Sequence, residues 1–447
     1  MRKSRSRRTQ KNVRRLTPGH VFCYRSGRPV TSYRHLDGTE GTRLPSHFLQ
    51  PAGEGEFIEA FREAFLRSVR LRLRSDVSVG VSLSGGLDST AVMCAAARQL
   101  DGERTRACRY AFTALIPEYD ETDFIAPVIA QTGARWHSTV ASDEHLSERC
   151  SEFFRVHDEP VHSLTPLAGF LVMGLARSAG VKVLLNGQGA DELVAGYDTS
   201  ILPFLRSVTA EDGVVAALRQ SVAESSSANE AIGLMGRAQG AMAAKLVAPA
   251  FEDQWRRYAA QRQARGKPKL LNDDGPIGGA PMLKRAQSGS LRLALDSQMR
   301  RTPLPLYLRI EDATASAFSL ETRLPFLDPD VIGIAQQAPA RLLRRAGLNK
   351  FLLRSILPGL VPDVVWQRRD KMGFPVPHAR WLSGPLRPLL LDTLSEARLR
   401  ARGWYNVPAV VVARDTLLAN PTATVPAATL RLFLLERWAQ DHLDSNW

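Results

Sequence analysis

Apolar positions change their period several times along the chain, and each change predicts an element. Between 54 and 74, Phe57, Phe61, Phe65 and Val69 recur every four residues among charged neighbours. That spacing predicts an amphipathic helix with one buried face. The run over 77–83 is short, apolar and rich in valine, the pattern of a buried strand, and it gives way through Ser84, Gly85 and Gly86 to a helical run over 90–100. Strand patterns at 109–115 and 136–140 flank a helix over 121–131. A further strand at 181–185 follows a helical pattern over 167–179. Strands alternating with helices predict an α/β fold: a doubly wound parallel sheet with ligands at the carboxyl ends of its strands. The positions over 201–264 and from Met282 onward read as helices, so the C-terminal part is expected to be largely helical. A break at Ser225, Ser226 and Ser227 and a Gly-, Pro- and charge-rich stretch over 265–281 interrupt them. The latter predicts a loop, equally compatible with a surface connection and with a lid. At the other end, positions 13–33 read as a short hairpin that cannot bury a core alone.

Two stretches carry the candidate chemistry, and both follow predicted strands. In the first, Ser84-Gly85-Gly86-Leu87-Asp88-Ser89, the glycines let the backbone approach a phosphate, and the new helix offers unpaired N–H groups at a partially positive end. The hydroxyls of Ser84 and Ser89 add donors. Asp88 would repel a bare phosphate, so it reads as a ligand for a bridging Mg2+. The second stretch is Asn186-Gly187-Gln188-Gly189-Ala190-Asp191-Glu192. Its paired carboxylates suit a metal-pyrophosphate, and Asp191 is expected to pair with Asp88 across one Mg2+.

Two later segments are less decisive. Glu311 and Asp312, with the charges over 321–328, suit either a pocket wall or mutual pairing in a helical core. The basic cluster over 367–375 puts Lys371 on a Gly-Pro loop, where an ammonium could stabilise a charged transition state or simply be solvated.

Composition removes several classes. No apolar run is long enough to span a bilayer, and no apolar stretch follows the basic start, so neither a membrane partner nor secretion is expected. The four cysteines contain no Cys-x-x-Cys pair, which suggests neither zinc nor disulfides and fits a cytoplasmic protein. The net charge of +14 is concentrated in positions 2–15, which hold eight basic residues and no acidic one. Without interleaved aromatics that tail does not predict a nucleic-acid partner.

Together the stretches at 84–89, 187–192, 321–328 (Glu-Thr-Arg-Leu-Pro-Phe-Leu-Asp) and 369–374 (Arg-Asp-Lys-Met-Gly-Phe) resemble the synthetase domain of the asparagine synthetase family. That family includes β-lactam synthetases and lasso-peptide cyclases. The resemblance covers roughly 55–385. It implies an ATP-pyrophosphatase domain over 51–447, preceded at 1–50 by the basic tail and a hairpin remnant of a glutaminase domain. It also implies that Leu83, Ser84, Gly85, Gly86, Asp88, Ser89 and Gly187 bind ATP and that Asp88 and Asp191 hold Mg2+. Lys371, Gln188 and Glu192 are implied as catalytic. The implied reaction is amide formation through an acyl-adenylate, releasing AMP and pyrophosphate, with aspartate and ammonia as the leading substrates. A specialised amide ligase or cyclase is the alternative. The glutaminase nucleophile of full-length members is a cysteine after the initiator Met, and residue 2 here is Arg. The chain is therefore expected to use free ammonia, a separate glutaminase or an amine within its substrate, with a second copy of itself as a further partner. Gln188 stands where well-studied asparagine-forming members carry glutamate.

Overall fold

The computed structural model describes residues 16, 20–28, 30–34, 44–100, 110–227, 230–238, 269–272, 289–369, 375–422 and 424–444. A small antiparallel hairpin, β1 (His20–Cys23) with β2 (Thr31–Arg34), pairs Val21 with Tyr33 and Phe22 with Ser32. Phe22, Tyr24 and Tyr33 are exposed on it, as expected of a hairpin too small for its own core.

Helix α1 (Glu54–Arg72) buries Phe57, Phe61, Phe65 and Val69 completely, the face that the four-residue spacing predicts. It packs beside a five-stranded parallel sheet built of β3 (Val79–Ser82), β4 (Tyr110–Leu115), β5 (Arg135–Val140), β6 (Val183–Leu185) and β7 (Glu321–Arg323). The order is β5-β4-β3-β6-β7 with every pair parallel. The helices between the strands are α2 (Leu87–Leu100), α3 (Thr122–Thr132), α4 (Asp143–Arg155) and α5 (Thr165–Ser178). This is the doubly wound α/β architecture predicted above. Val79 and Val81 are fully buried, as a central strand covered on both faces requires. Gly80 between them leaves room for the Phe112 ring, which a Cβ would meet at 2.6 Å.

Chain order and strand order diverge at β3. From it the chain winds outward to β4 and β5, then returns to place β6 on the other side. The loops after β3 and β6 therefore leave the same end of adjacent strands, the switch point where doubly wound sheets bind ligands.

Two elements lie outside the predicted set. Helix α4 carries Leu146, Cys150, Phe153 and Phe154 on one buried face and is capped by Ser142, whose side chain accepts from the His145 N–H at 3.3 Å. Strand β7 forms at 321–323, where the sequence pattern shows only charges. Here the charges pair structurally: Arg323 binds Glu321 at 2.6 Å and the carbonyls of Arg72 and Arg74, and Asp328 caps the helix Pro329–Ala335 and binds Arg72 at 2.8 Å. The rest of the described C-terminal part is helical. A second core forms there around Trp381, Phe433 and Leu390.

After the short α6 (Ala190–Leu193), the long helix α7 (Ile201–Ala223) is interrupted at Gly213, where φ is 86°. It ends just before the serine run, as predicted. Most of the 265–281 stretch lies outside the described residues. Positions 269–272 are tied down, because Asn272 N donates to Trp404 O and Asn406 N to Leu270 O. Among the described residues no helix is long and apolar enough to cross a membrane.

Candidate active site

The loop after β3 is shaped by its own serines. Gly85 takes φ 73°, a left-handed conformation that favours glycine, and the chain turns directly into α2 at Leu87, earlier than the helical run at 90 suggested. Ser89 Oγ accepts from Ser84 N at 3.2 Å and lies 3.1 Å from Ser84 Oγ, while Ser84 Oγ accepts from Gly86 N at 3.4 Å. Behind the loop, Leu83 is buried, and its carbonyl accepts from Thr113 Oγ1 at 2.7 Å. Arg368 reaches the Gly85 carbonyl at 3.4 Å; its guanidinium binds Glu121 at 2.7 Å and stacks over Phe124.

The loop after β6 comes against it without a gap. A Cβ built on Gly187 would lie 2.7 Å from Asp88 Cβ and 2.9 Å from Ser89 N, so this approach requires glycine. Asn186 accepts from Gln188 N at 2.6 Å, closing the turn. Gly189, at φ 94°, then starts α6, which carries Asp191 and Glu192.

The two loops open on one cavity of about 510 Å³. Ser84, Gly86, Asp88 and Ser89 line one side, and Gly187, Gln188, Asp191 and Glu192 line the other. Leu83 and Gly85 support the loop from behind without lining the cavity. Lys371 lies outside the described residues, as does Cys108. Glu192 is almost completely buried, and its Oε1 accepts from the Tyr197 hydroxyl at 2.7 Å.

Lys350, which no sequence pattern singled out, joins the two loops. Its ammonium lies 2.5 Å from Asp88 Oδ2 and 2.9 Å from Asp191 Oδ1. Burial alone would lower its pKa, but the two carboxylates hold it above the ordinary lysine value, so it carries a full charge. Two hard carboxylate oxygens converging on one cation form a donor set that fits Mg2+, and the ammonium is a stand-in cation at that place.

Glu311 also lines the cavity and receives a hydrogen bond from Asn186 Nδ2 at 2.6 Å. Burial pushes its carboxyl up to about 7, against the lowering effect of hydrogen bonds from Asn186 and Thr322. Of the two roles left open for the 311–312 and 321–328 charges, the pocket wall holds for Glu311. Mutual pairing holds for Glu321 with Arg323, while Asp328 pairs with Arg72 of α1. Tyr307 and His162 stand nearby with ring centroids 4.9 Å apart. Burial, then His378 and Arg431, bring His162 down to about 4 and keep it neutral. Tyr197 and Tyr307 are raised by burial and by the adjacent carboxylates, so both stay protonated.

The cavity wall thus combines the two acidic loops and Lys350 with a further titratable carboxyl, Glu311. Sequence reasoning missed Lys350, Tyr307 and His162. Lys350 follows Asn349 at the edge of a short apolar helix, a context without periodicity.

Comparison with known proteins adds the rest. A family model described as asparagine synthase matches residues 60–440. The glutamine-hydrolyzing asparagine synthetase 1 of Bacillus subtilis is 26% identical over 403 residues, covering 87% of this chain and 60% of that protein. A putative glutamine-hydrolyzing asparagine synthetase of Mycobacterium tuberculosis is 30% identical over 322 residues, covering 70% of this chain and 47% of that protein. Amidase chyE of Penicillium rubens is 27% identical over 199 residues, or 42% of this chain and 29% of that protein. The chain therefore spans about half the length of the synthetases it matches.

Proposed function

Since the chain belongs to the asparagine synthase family, we propose that it joins a carboxylate to an amine in two ATP-dependent steps, with aspartate as acceptor and ammonia as nitrogen source. The observation that carries this reading is the meeting of Asp88 and Asp191 on one cation, at the ends of adjacent parallel strands, in the wall of one cavity.

In the first step a carboxylate oxygen attacks the α-phosphorus of ATP, and the bond to the bridging oxygen of pyrophosphate breaks. The N–H groups at the start of α2 and the loop backbone at Gly86 receive the pyrophosphate, whose charge suits a helix N-terminus. Asp88 and Asp191 are the residues that would hold Mg2+, which neutralises the charge of the leaving group when bound. Lys371, by family resemblance, stabilises the charge gathering at phosphorus.

In the second step the amine lone pair attacks the acyl carbon, the bond to AMP breaks, and a proton must leave the nitrogen. Glu311, a carboxyl whose pKa lies near neutrality in the wall of the same cavity, is suited to take it. Gln188, which lines the same cavity, is assigned the hydrogen bond to the acyl group; a neutral amide does not compete with Glu311 for that proton. Glu192 acts by position, anchoring α6 through Tyr197.

The likeness to a fungal amidase, together with Gln188, favours a second reading in which the same adenylation serves a different acceptor. One experiment separates them: carboxylate-dependent exchange of labelled pyrophosphate into ATP, followed by AMP release with ammonium, each with and without aspartate. Exchange that needs aspartate supports the first reading. Exchange absent with aspartate but present with a larger carboxylate supports the second, and no exchange with any carboxylate rejects adenylation.

A further inference from the structure

Several glycines of the sheet and its loops have a visible reason: Gly80 admits the Phe112 ring, and Gly85 and Gly189 take left-handed conformations. Gly169 has neither. It lies inside α5, where glycine weakens a helix relative to alanine, and a Cβ built on it would meet nothing within 4 Å. The space in front of it is the active-site cavity, whose wall includes Gly169. Thr165, Pro166, Val172 and Met173 line that cavity from the same helix, at the spacing of one helical face. The helix Leu304–Ala317 (α8) brings Tyr307 and Glu311 to the same wall. Neither α5 nor α8 contributes a cation to it, and His162, which also lines it, is neutral.

We propose that the α5 face around Gly169 receives the body of the acceptor carboxylate, and that Gly169 holds open room for an uncharged body larger than that of aspartate. The inference rests on the adenylation reading and favours the second of its two acceptors. An acceptor must bring its acyl carbon within reach of Glu311, which takes the proton in the second step. Glu311 shares α8 with Tyr307, whose ring packs on His162 just before α5, so a body extending from that carbon meets the α5 wall. The wall then restricts what the body can be. A charged group would lose water there without gaining a counterion, whereas an alkyl or aryl group gains by burial against Val172 and the adaptable Met173. The cations that line the cavity among the described residues are engaged elsewhere. Lys350 binds the loop aspartates, Arg354 donates to the carbonyls of Asn349, Trp366 and Arg368, and Arg368 donates to Gly85 O.

The test is exchange of labelled pyrophosphate into ATP by wild type, Gly169→Ala and Gly169→Val, with aspartate, hexanoate or phenylacetate as the carboxylate. Wild type should exchange with hexanoate or phenylacetate. Gly169→Ala should lower kcat/KM for those acceptors by about tenfold, and Gly169→Val by more, because one methyl group in an apolar pocket discriminates to that extent. The KM for ATP should stay at its wild-type value. The melting temperature of Gly169→Ala should rise, since alanine favours the helix and its methyl group displaces nothing. If Gly169→Val does not fold, Gly169→Ala alone carries the test.

Wild type that exchanges with aspartate alone overturns the inference and leaves adenylation standing. An alanine variant that keeps wild-type kcat/KM for the larger acceptors also overturns it. So does a KM for ATP that rises in step with the loss, which would give the α5 wall to the nucleotide. A lower melting temperature in Gly169→Ala overturns it too, because the glycine would then serve the fold. Wild type that exchanges with no carboxylate sinks both readings.

Discussion

Gly187 packs directly on Asp88, with the place of its absent side chain 2.7 Å from the Asp88 Cβ. This contact sets the distance between the two motif loops, and so decides whether both carboxylates can share one cation. Gly187→Ala adds a methyl group where backbone and Cβ already touch. It should destabilise the fold by about 1–3 kcal/mol and, by separating the loops, slow pyrophosphate exchange by roughly 10²-fold. Denaturant titration beside the exchange assay checks both; full exchange in the alanine variant would mean the loops have slack.

Glu311 ties activity to pH. With its carboxyl near 7, the form able to accept a proton grows through neutrality, so amide formation should rise with pH over roughly 6 to 8. Glu311→Gln should lose amide formation and keep aspartate-dependent pyrophosphate exchange. An equal loss of both would place Glu311 in the first step instead.

The same group has a stability signature. A carboxyl whose folded pKa is raised binds more protons folded than unfolded, so its contribution is fully present below the unfolded pKa and is lost as pH rises through about 7. The melting temperature of Glu311→Gln, relative to wild type, should therefore be higher at pH 8 than at pH 5. A difference independent of pH would show that the carboxyl titrates normally.

Lys371 should matter for rate and little for nucleotide affinity. If it stabilises the transition state, Lys371→Ala costs roughly 10²-fold or more in the rate of pyrophosphate release with ATP binding retained. An unchanged rate removes it from the mechanism.

Arg344 and Glu224 form a buried bidentate pair, at 3.0 and 2.7 Å, behind the site. Arg344 also donates to the carbonyls of Ala195 and Tyr197, on the segment that carries Gly196. Arg344→Met leaves a buried carboxylate without its partner and should cost about 3–5 kcal/mol in chemical denaturation. Arg344→Met/Glu224→Met should recover much of that loss. A single variant as stable as wild type would show that water reaches Glu224.

The sheet and its motif loops were legible because their signals are local. Phe57, Phe61, Phe65 and Val69 mark a face by spacing alone, and valines ending in Ser84-Gly85-Gly86 mark a strand and a phosphate turn without reference to anything distant. Helix α4 was missed: Leu146, Cys150, Phe153 and Phe154 share one helical face, but the charged residues between them masked the pattern. Strand β7 was not legible either. Three residues with two charges form a strand only because β6 offers them an edge and Arg72 and Arg74 offer carbonyls to Arg323.

From its sequence alone this protein was bound to have an α/β nucleotide fold with two glycine-rich acidic loops, because periodicity and turn chemistry act over a few residues. Which groups face one another was decided in three dimensions. Asp88 and Asp191 meet because the strand order places β6 beside β3. Lys350 reaches Asp88 across 262 positions of chain, and Asp191 beside it, because Gly196 leaves the space. Such pairings depend on distances between segments remote in sequence, and only packing sets those distances.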